Sequence, residues 1–463
     1  MKKPNIVLIM TDQQRWDTLA CLGFDHMQTP NLDRLAGSGS AFRHAYVQGA
    51  VCGPSRNCIV SGRYVHVHGA ERNEEWLDAG QPNWIESLQS GGYRTVNIGK
   101  MHTAPIRLPC GFDERTVVEN KNYQVGLHGP DPDDYDLELE RHGLKRPALT
   151  YYRDIPDWPD RLQATTWPHA EELYPDHFIG RRCVEAIDRW EPDQPQFLWA
   201  GFVGPHDPYD VPESALARYE DVKLPPPVKS PGELESKPPP QKRFMERLER
   251  TEQPAMWCQS RATPERLDRM RRHYFANISL IDDWVGNIVK AVESKGLLDN
   301  TVFVFTSDHG DCLGDHHQIY KFSSHYDPVV RVPFIVSGPG LARNQTVDSL
   351  IELIDLGPTL LDLAGLAPLE GANGISLRSG LEGGNFPARD AVFSETGPRV
   401  MIRTLEWKLV TYIGEPYGEL YDLVQDPDEL RNRFDDPKAA SVRAELTERL
   451  FHWFARTRMR RPA

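Results

Sequence analysis

Cysteine is scarce in this chain and follows no pairing pattern. The seven residues, at 21, 52, 58, 110, 183, 258 and 312, are scattered over 463 positions. An odd set with no repeated short spacing excludes a disulfide scaffold and a cysteine-built zinc site. Long apolar runs are missing as well, and none reaches the length of a membrane span. The opening MKKPNIVLIMTDQQ has only a short apolar run. Polar Thr11, Asp12, Gln13 and Gln14 follow it, where a signal peptide would place small residues, so it reads as a first strand. A cytoplasmic location is expected for the chain as it stands, or a periplasmic or secreted one if a leader has been removed. Basic charge is also in short supply: 53 Lys and Arg against 67 Asp and Glu leave a net −14. That balance argues against a nucleic-acid partner. An anionic ligand would have to be drawn into a local basic pocket against the field of the whole molecule.

Four short apolar runs end in chemically capable residues. NIVLIM leads into Thr11-Asp12-Gln13, and RTVNIG into Lys100-Met101-His102. QFLWAGFVG leads into Pro205-His206-Asp207, and NTVFVFTS into Asp308-His309-Gly310. Each run has the length and the β-branched or aromatic content of a buried strand. Helix-like segments separate them, among them TPNLDRLAGSG with a Thr29 or Asn31 cap, NWIESLQSGG, and the long ERLDRMRRHYFANISLIDDWVGNIVKAVESKG. Alternating strands and helices predict an α/β fold with a mixed, mostly parallel sheet between helices. Ligands of such sheets bind beyond the carboxyl ends of the strands, where all four polar clusters fall.

Two stretches interrupt the alternation, at about 119–175 and 207–262. The second carries LPPPVKSPGELESKPPPQ, too rich in proline for a helix or sheet interior, and reads as a surface excursion or a lid. After about 375 the texture becomes consecutive antiparallel strands and a final amphipathic helix. The expected division is therefore a catalytic domain over 1–375, including both insertions, and a small α+β carboxy-terminal subdomain over 376–463 with an antiparallel sheet.

The stretch VCGPSRNCIVSGR, residues 51–63, sets a cysteine beside Pro54, Ser55 and Arg56 ahead of a short apolar run. Proline fits a first helical turn. The exposed N–H groups, the dipole and Arg56 favour an anion there and lower the pKa of Cys52. Asp12 and Gln13 with Asp308 and His309 offer hard oxygen donors and one imidazole, a set suited to calcium, magnesium or manganese better than to zinc. Arg56, Lys100 and Lys321 are candidates to surround a tetrahedral oxyanion. His102 and His206 are candidates for proton transfer. His316 and His317 read as structural, and His66 and His68 carry no assignment.

Cys52-Gly53-Pro54-Ser55-Arg56, continuing to SGR, resembles the signature of the type I sulfatases of the alkaline-phosphatase superfamily. PNIVLIMTDQQ, TPNLDRLAGSGSAF, GKMH, PHDPY, SDHGDCLGDHH and KLV…ELYDLVQDPDELRN resemble the family in the same order, nearly end to end. In that family a maturation enzyme converts the cysteine to formylglycine, whose hydrated aldehyde is the nucleophile. The resemblance implies that Asp12, Gln13, Asp308 and His309 hold a divalent metal, calcium first, beside the modified Cys52. It implies that Arg56 steadies the hydrate, that Lys100 and Lys321 bind sulfate, and that His206, with Lys321, protonates the leaving alcohol. His102 would take the proton when the covalent ester collapses. Asn73 falls where relatives acting on choline sulfate or phosphonate esters bind substrate.

Two positions depart from the commonest sulfatase pattern. Gln13 stands where many sulfatases have a second aspartate, and His309 where they have asparagine. Lys100 and His102 keep the sulfate-type pair, which phosphonate hydrolases lose. The expectation is an exo-acting or small-substrate sulfatase, a sulfated sugar foremost. The alternatives are a phosphonate, phosphate or choline-sulfate ester hydrolase with the same nucleophile, and a binding protein on an inactive scaffold. No membrane partner is expected, and the sequence leaves the oligomeric state open.

Overall fold

The structure, a computed structural model, describes residues 2–458 apart from 79, 122–131, 251–260 and 322–323. Parts of both predicted insertions, and Cys258, therefore lie outside the described residues.

The first strand, β1 (Asn5–Asp12), is buried along its whole length. Its side chains alternate between two cores, as a period of two requires. Ile6, Leu8 and Met10 enter one core with Trp84 and Leu356, while Val7 and Ile9 enter the other with Ile179 and Ile281. Burial on both faces explains why NIVLIM reads as a continuous apolar run. The sheet also contains β2 (Gly39–Phe42), β3 (Arg94–Gly99), β4 (Glu114–Val117), β5 (Gln196–Pro205), β6 (Thr301–Ser307), β7 (Phe334–Ser337) and β8 (Gln345–Val347), in the order β8-β2-β7-β6-β1-β5-β3-β4. Only β7 runs against its neighbours β6 and β2, so the sheet is mixed and mostly parallel. On one face lies α1 (Cys52–Ser61); on the other lie α2 (Pro175–Asp188) and α3 (Pro264–Ser294).

A second sheet is antiparallel and runs in sequence order: β9 (Val392–Thr396), β10 (Arg399–Arg403), β11 (Trp407–Tyr412) and β12 (Gly418–Asp422). The last helix, α4 (Ala440–Arg458), lays Leu446, Leu450 and Trp453 against Ile402, Leu409 and Leu420 of this sheet. Its edge reaches the front of α1, where Ala50 N donates to Thr396 Oγ1 at 3.1 Å.

One local expectation needs correction. Thr29 precedes the helix Pro30–Gly37, but its hydroxyl accepts from Ala20 N at 3.1 Å and does not cap that helix. The end of the proline-rich stretch opens a helix, Pro239–Arg250. Its two leading prolines fall in the first turn, where a missing N–H costs nothing. The same stretch ties distant parts together: His316 N donates to Val228 O at 2.7 Å, and Lys237 Nζ reaches Tyr421 Oη at 3.0 Å and Glu429 O at 2.8 Å. It is a strap between the loop after β6 and the small sheet.

Candidate active site

The four polar clusters follow β6, β1, β5 and β3, which are consecutive parallel neighbours. Parallel pairing brings their carboxyl ends to one edge, so Asp308, Asp12, His206 and Lys100 share a single site although the sequence spreads them over 297 positions.

The helix α1 enters that site with Cys52 as its first residue, after an extended Val51. Val51 offers no side-chain cap; Asn73 supplies one from outside, its Oδ1 accepting from Gly53 N at 2.9 Å. Asn73 thus holds the front of the helix that carries Cys52. Ser55 Oγ donates to Asp308 O, which fixes the helix to the end of β6. Cys52 Sγ lies 3.1 Å from His309 Nε2, 3.2 Å from Lys321 Nζ and 3.7 Å from Asp12 Oδ1. Burial and the Asp12 carboxylate push the thiol pKa up, but Lys321, His309 and Lys100 outweigh them and hold it below its ordinary value.

Three buried cations surround this centre. Arg56 Nε pairs with Asp308 Oδ2 at 2.8 Å and Nη1 donates to Lys100 O at 2.9 Å, while Nη2 has no hydrogen-bond partner among the described residues. Lys100 Nζ pairs with Asp12 and donates to Asn120 Oδ1 at 3.0 Å. Lys321 Nζ donates to Gln13 Oε1 at 2.6 Å. Burial would raise the Asp12 carboxyl, yet Lys100, His206, Lys321 and Arg56 together hold it well below the usual carboxylate range.

Gln13 has a defined amide orientation. Its Nε2 donates to Asp311 Oδ2 at 2.6 Å, so Oε1 faces Lys321 and the centre. His206 also has a defined tautomer. Burial and Lys321 keep the ring neutral. Its Nδ1 lies 2.7 Å from Asp207 O, where only an N–H can bond, which leaves Nε2 to accept from Lys321 at 3.0 Å. Burial, Lys100 and Arg56 likewise keep His102 neutral. Both its ring nitrogens are buried without a partner among the described residues, the condition of an imidazole waiting for a ligand. The structure therefore brings Cys52, Arg56, Lys100, His102, His206 and Lys321 to one site, with Asn73 at the front of the helix that carries Cys52.

The other four histidines weighed in the sequence bond within the fold. His316 Nδ1 bonds Glu233 Oε1 at 2.7 Å and its ring stacks on Tyr326, while His317 Nε2 bonds Ser230 O. His66 lies between Glu395 and Thr457, and His68 meets Cys58 Sγ. Sequence reasoning missed Asp311, Glu119, Asn120 and Lys121. The last three follow β4, a fifth strand on the same carboxyl edge, so the rule that found the other four clusters applies to them too.

Donor chemistry tests whether a metal fits. Asp12, Cys52, Asp308 and His309 are all buried and present ligand atoms within 4.8 Å of one another. Two carboxylates, one imidazole and the inward amide oxygen of Gln13 form a set for a hard or borderline divalent cation. The residues fit such an ion. Among the described residues no helix is long and apolar enough to cross a membrane.

A family model described as Sulfatase matches residues 4–366, and one described as N-sulphoglucosamine sulphohydrolase, C-terminal, matches residues 314–455. An arylsulfatase of Clostridium perfringens is 31% identical over 448 residues, covering 93% of this chain and 90% of that protein. An N-acetylglucosamine-6-O-sulfatase of Bacteroides thetaiotaomicron is 26% identical over 495 residues, with 97% and 86% covered. The crystal structure of a phosphonate monoester hydrolase of Agrobacterium radiobacter superposes with a TM-score of 0.83 at 25% identity, over 98% of this chain and 96% of that one. The likeness spans the sheet, its chemically equipped edge and the small second sheet: this chain belongs to the sulfatase family, of alkaline-phosphatase-like fold, and is a sulfate ester hydrolase.

Proposed function

We propose that the chain removes sulfate from a small molecule or the end of a saccharide, a sulfated sugar foremost. Its nucleophile would be formylglycine made from Cys52 by a maturation enzyme, beside a divalent cation, calcium first and magnesium or manganese next. Asp12, Gln13, Asp308 and His309 would hold that cation. The observation that carries this reading is the depth of the site: Cys52 is 2% exposed, Lys100 1%, Lys321 2% and His102 5%. A reacting group at such depth is reached by a ligand that can insert its ester, and the middle of a stiff polymer cannot.

A bound divalent cation supplies charge that lowers the pKa of a coordinated hydroxyl and screens an incoming anion. The chain's own groups do the rest. Arg56 Nη2, Lys100 and Lys321 offer N–H donors to sulfate oxygens in a buried setting, where charge-assisted bonds are strong. Lys321 carries a proton next to His206 Nε2, and this pair serves the departing alcohol oxygen. Neutral His102, with both nitrogens unpartnered, serves as the base that takes a proton as sulfate leaves. The preserved Lys100 and His102, and the relative named for N-acetylglucosamine 6-O-sulfate, support a sulfated sugar over other alcohols.

A second reading, phosphonate or phosphate ester hydrolysis, is favoured by the fold likeness to a phosphonate monoester hydrolase. Comparing kcat/KM for sulfate and phosphonate esters that share one leaving group separates the two. The sulfate ester is expected to be preferred; a clear phosphonate preference would promote the second reading. Choline sulfate belongs in the same panel as the small cationic alternative.

A further inference from the structure

The residues after β4 touch two of the four clusters at once, the one with Lys100 and His102 and the one with His206. Glu119 accepts the backbone N–H of His102, with its two oxygens at 3.0 and 3.2 Å. That N–H belongs to a residue at φ 61°, a left-handed conformation that a non-glycine residue adopts only when held. Asn120 Oδ1 accepts from Lys100 Nζ at 3.0 Å. Lys121 Nζ donates to Pro208 O at 3.3 Å, bracing the loop that carries His206, and to Asn277 Oδ1 of α3 at 2.7 Å. The tripeptide is itself fixed: Arg146 Nη1 donates to Asn120 O at 3.0 Å, and Asp133 Oδ2 accepts from Glu119 N at 3.2 Å. All three side chains are at least 95% buried.

We propose that Asn120 is a positioning residue for the Lys100 ammonium, within a tripeptide, Glu119-Asn120-Lys121, that sets Lys100, His102 and His206 relative to one another. An ammonium has three N–H donors on a flexible four-carbon stem. Asp12 takes one and Asn120 a second, which aims the third at a substrate oxygen. The amide is a neutral acceptor, and that neutrality matters. It engages one N–H of the ammonium without cancelling the charge that sulfate needs. A carboxylate at the same place would hold Lys100 as firmly and neutralise it. The inference rests on the proposed role of Lys100 in binding sulfate.

The test is a double-mutant cycle in matured full-length enzyme, with an aryl sulfate as substrate and inorganic sulfate as competitive inhibitor. Asn120→Ala is expected to lower kcat/KM and to weaken sulfate inhibition, each by about ten- to a hundredfold, the worth of a hydrogen bond to a charged group. Asn120→Asp, which preserves volume and an acceptor oxygen, is expected to lose a comparable factor. Because Asn120 acts through Lys100, adding Asn120→Ala to Lys100→Ala should cost nothing further, whereas a merely structural loss would multiply. Full activity in Asn120→Asp, or additive losses in the cycle, would overturn the proposal while leaving the sulfate site intact. A silent Lys100→Ala would instead refute the role of Lys100, on which the inference stands.

Discussion

Lys321 Nζ and Cys52 Sγ meet at 3.2 Å across 269 positions of sequence. The contact joins the loop after β6 to the first residue of α1. The same ammonium also touches Gln13 Oε1 and His206 Nε2. One cation therefore adjoins the proposed nucleophile position, a proposed metal ligand and a histidine proposed for proton transfer. Lys321→Ala is expected to cut kcat/KM for a sulfate ester by about a hundred- to a thousandfold, the usual worth of a charge donor aimed at a developing oxyanion. Mass spectrometry of the tryptic peptide His44–Arg56 should show formylglycine at position 52 in active wild type and in this variant alike. An unmodified thiol in fully active enzyme would refute the nucleophile.

The donor set makes a second prediction. Asp308 Oδ2 pairs with Arg56 Nε, and its Oδ1 accepts from Gln13 N at 3.0 Å, so the carboxylate is both a candidate ligand and a structural anchor. Removing it entirely would strand a buried guanidinium, at a cost of about 3–5 kcal/mol. Asp308→Asn preserves the shape and is the fairer test. Elemental analysis should find one divalent ion per wild-type chain and a much reduced content in the variant, with activity falling in step. Chelation should reversibly abolish wild-type turnover. Unchanged activity in metal-free enzyme would rule out the metal role.

Stability should respond to pH through Asp210. This carboxyl bonds Tyr152, lies 3.9 Å from Lys121 Nζ, and leaves Oδ1 without a hydrogen-bond partner among the described residues. Burial, with Asp176 nearby, pushes its pKa up to about 7 against the opposing pull of Lys121 and Tyr152. The folded state then binds a proton that the unfolded state has lost between about pH 4 and 7, so this group's contribution falls as pH rises through that window. Asp210→Asn cannot ionise. Its Tm relative to wild type should rise from pH 5 to pH 8, as read by calorimetry at matched ionic strength. A Tm difference that stays flat across that range would contradict a raised carboxyl.

Much of this was legible in the sequence because the central strands are buried on both faces. NIVLIM and NTVFVFTS must be apolar throughout, so the polar residues that end them stand out. The strand β4 gives no such signal: Glu114, Arg115 and Thr116 are only partly buried at the edge of the sheet. ERTV therefore does not stand out as a strand, and Glu119, Asn120 and Lys121 pass as the start of an insertion. The role of the strap was not legible for a different reason. Proline reports on local backbone, whereas the partners of Lys237, namely Glu233, Tyr421 and Glu429, are a matter of tertiary structure. Asp311 stood in plain view in SDHGD, but its work of orienting the Gln13 amide depends on a contact across 298 positions.

The last prediction concerns where on a saccharide the enzyme can act. The strap ties the His316 loop to the small sheet, and that sheet abuts the front of α1 through Thr396 and Ala50. These connections brace the walls, so depth is built into the fold at Cys52. An ester on a terminal sugar can insert its sulfate between Arg56, Lys100 and Lys321; the same ester flanked on both sides would drive the neighbouring sugars into packed side chains. The global charge of −14 adds a long-range penalty that grows with the number of sulfates on the ligand and weakens as salt is added. Two oligosaccharides of equal length and sulfation, one sulfated at the terminal residue and one only internally, provide the comparison. The terminal ester should be hydrolysed and the internal ester left intact, at low and at high ionic strength alike. Equal turnover of the two would mean that the closed pocket opens in solution and would refute the chain-end reading.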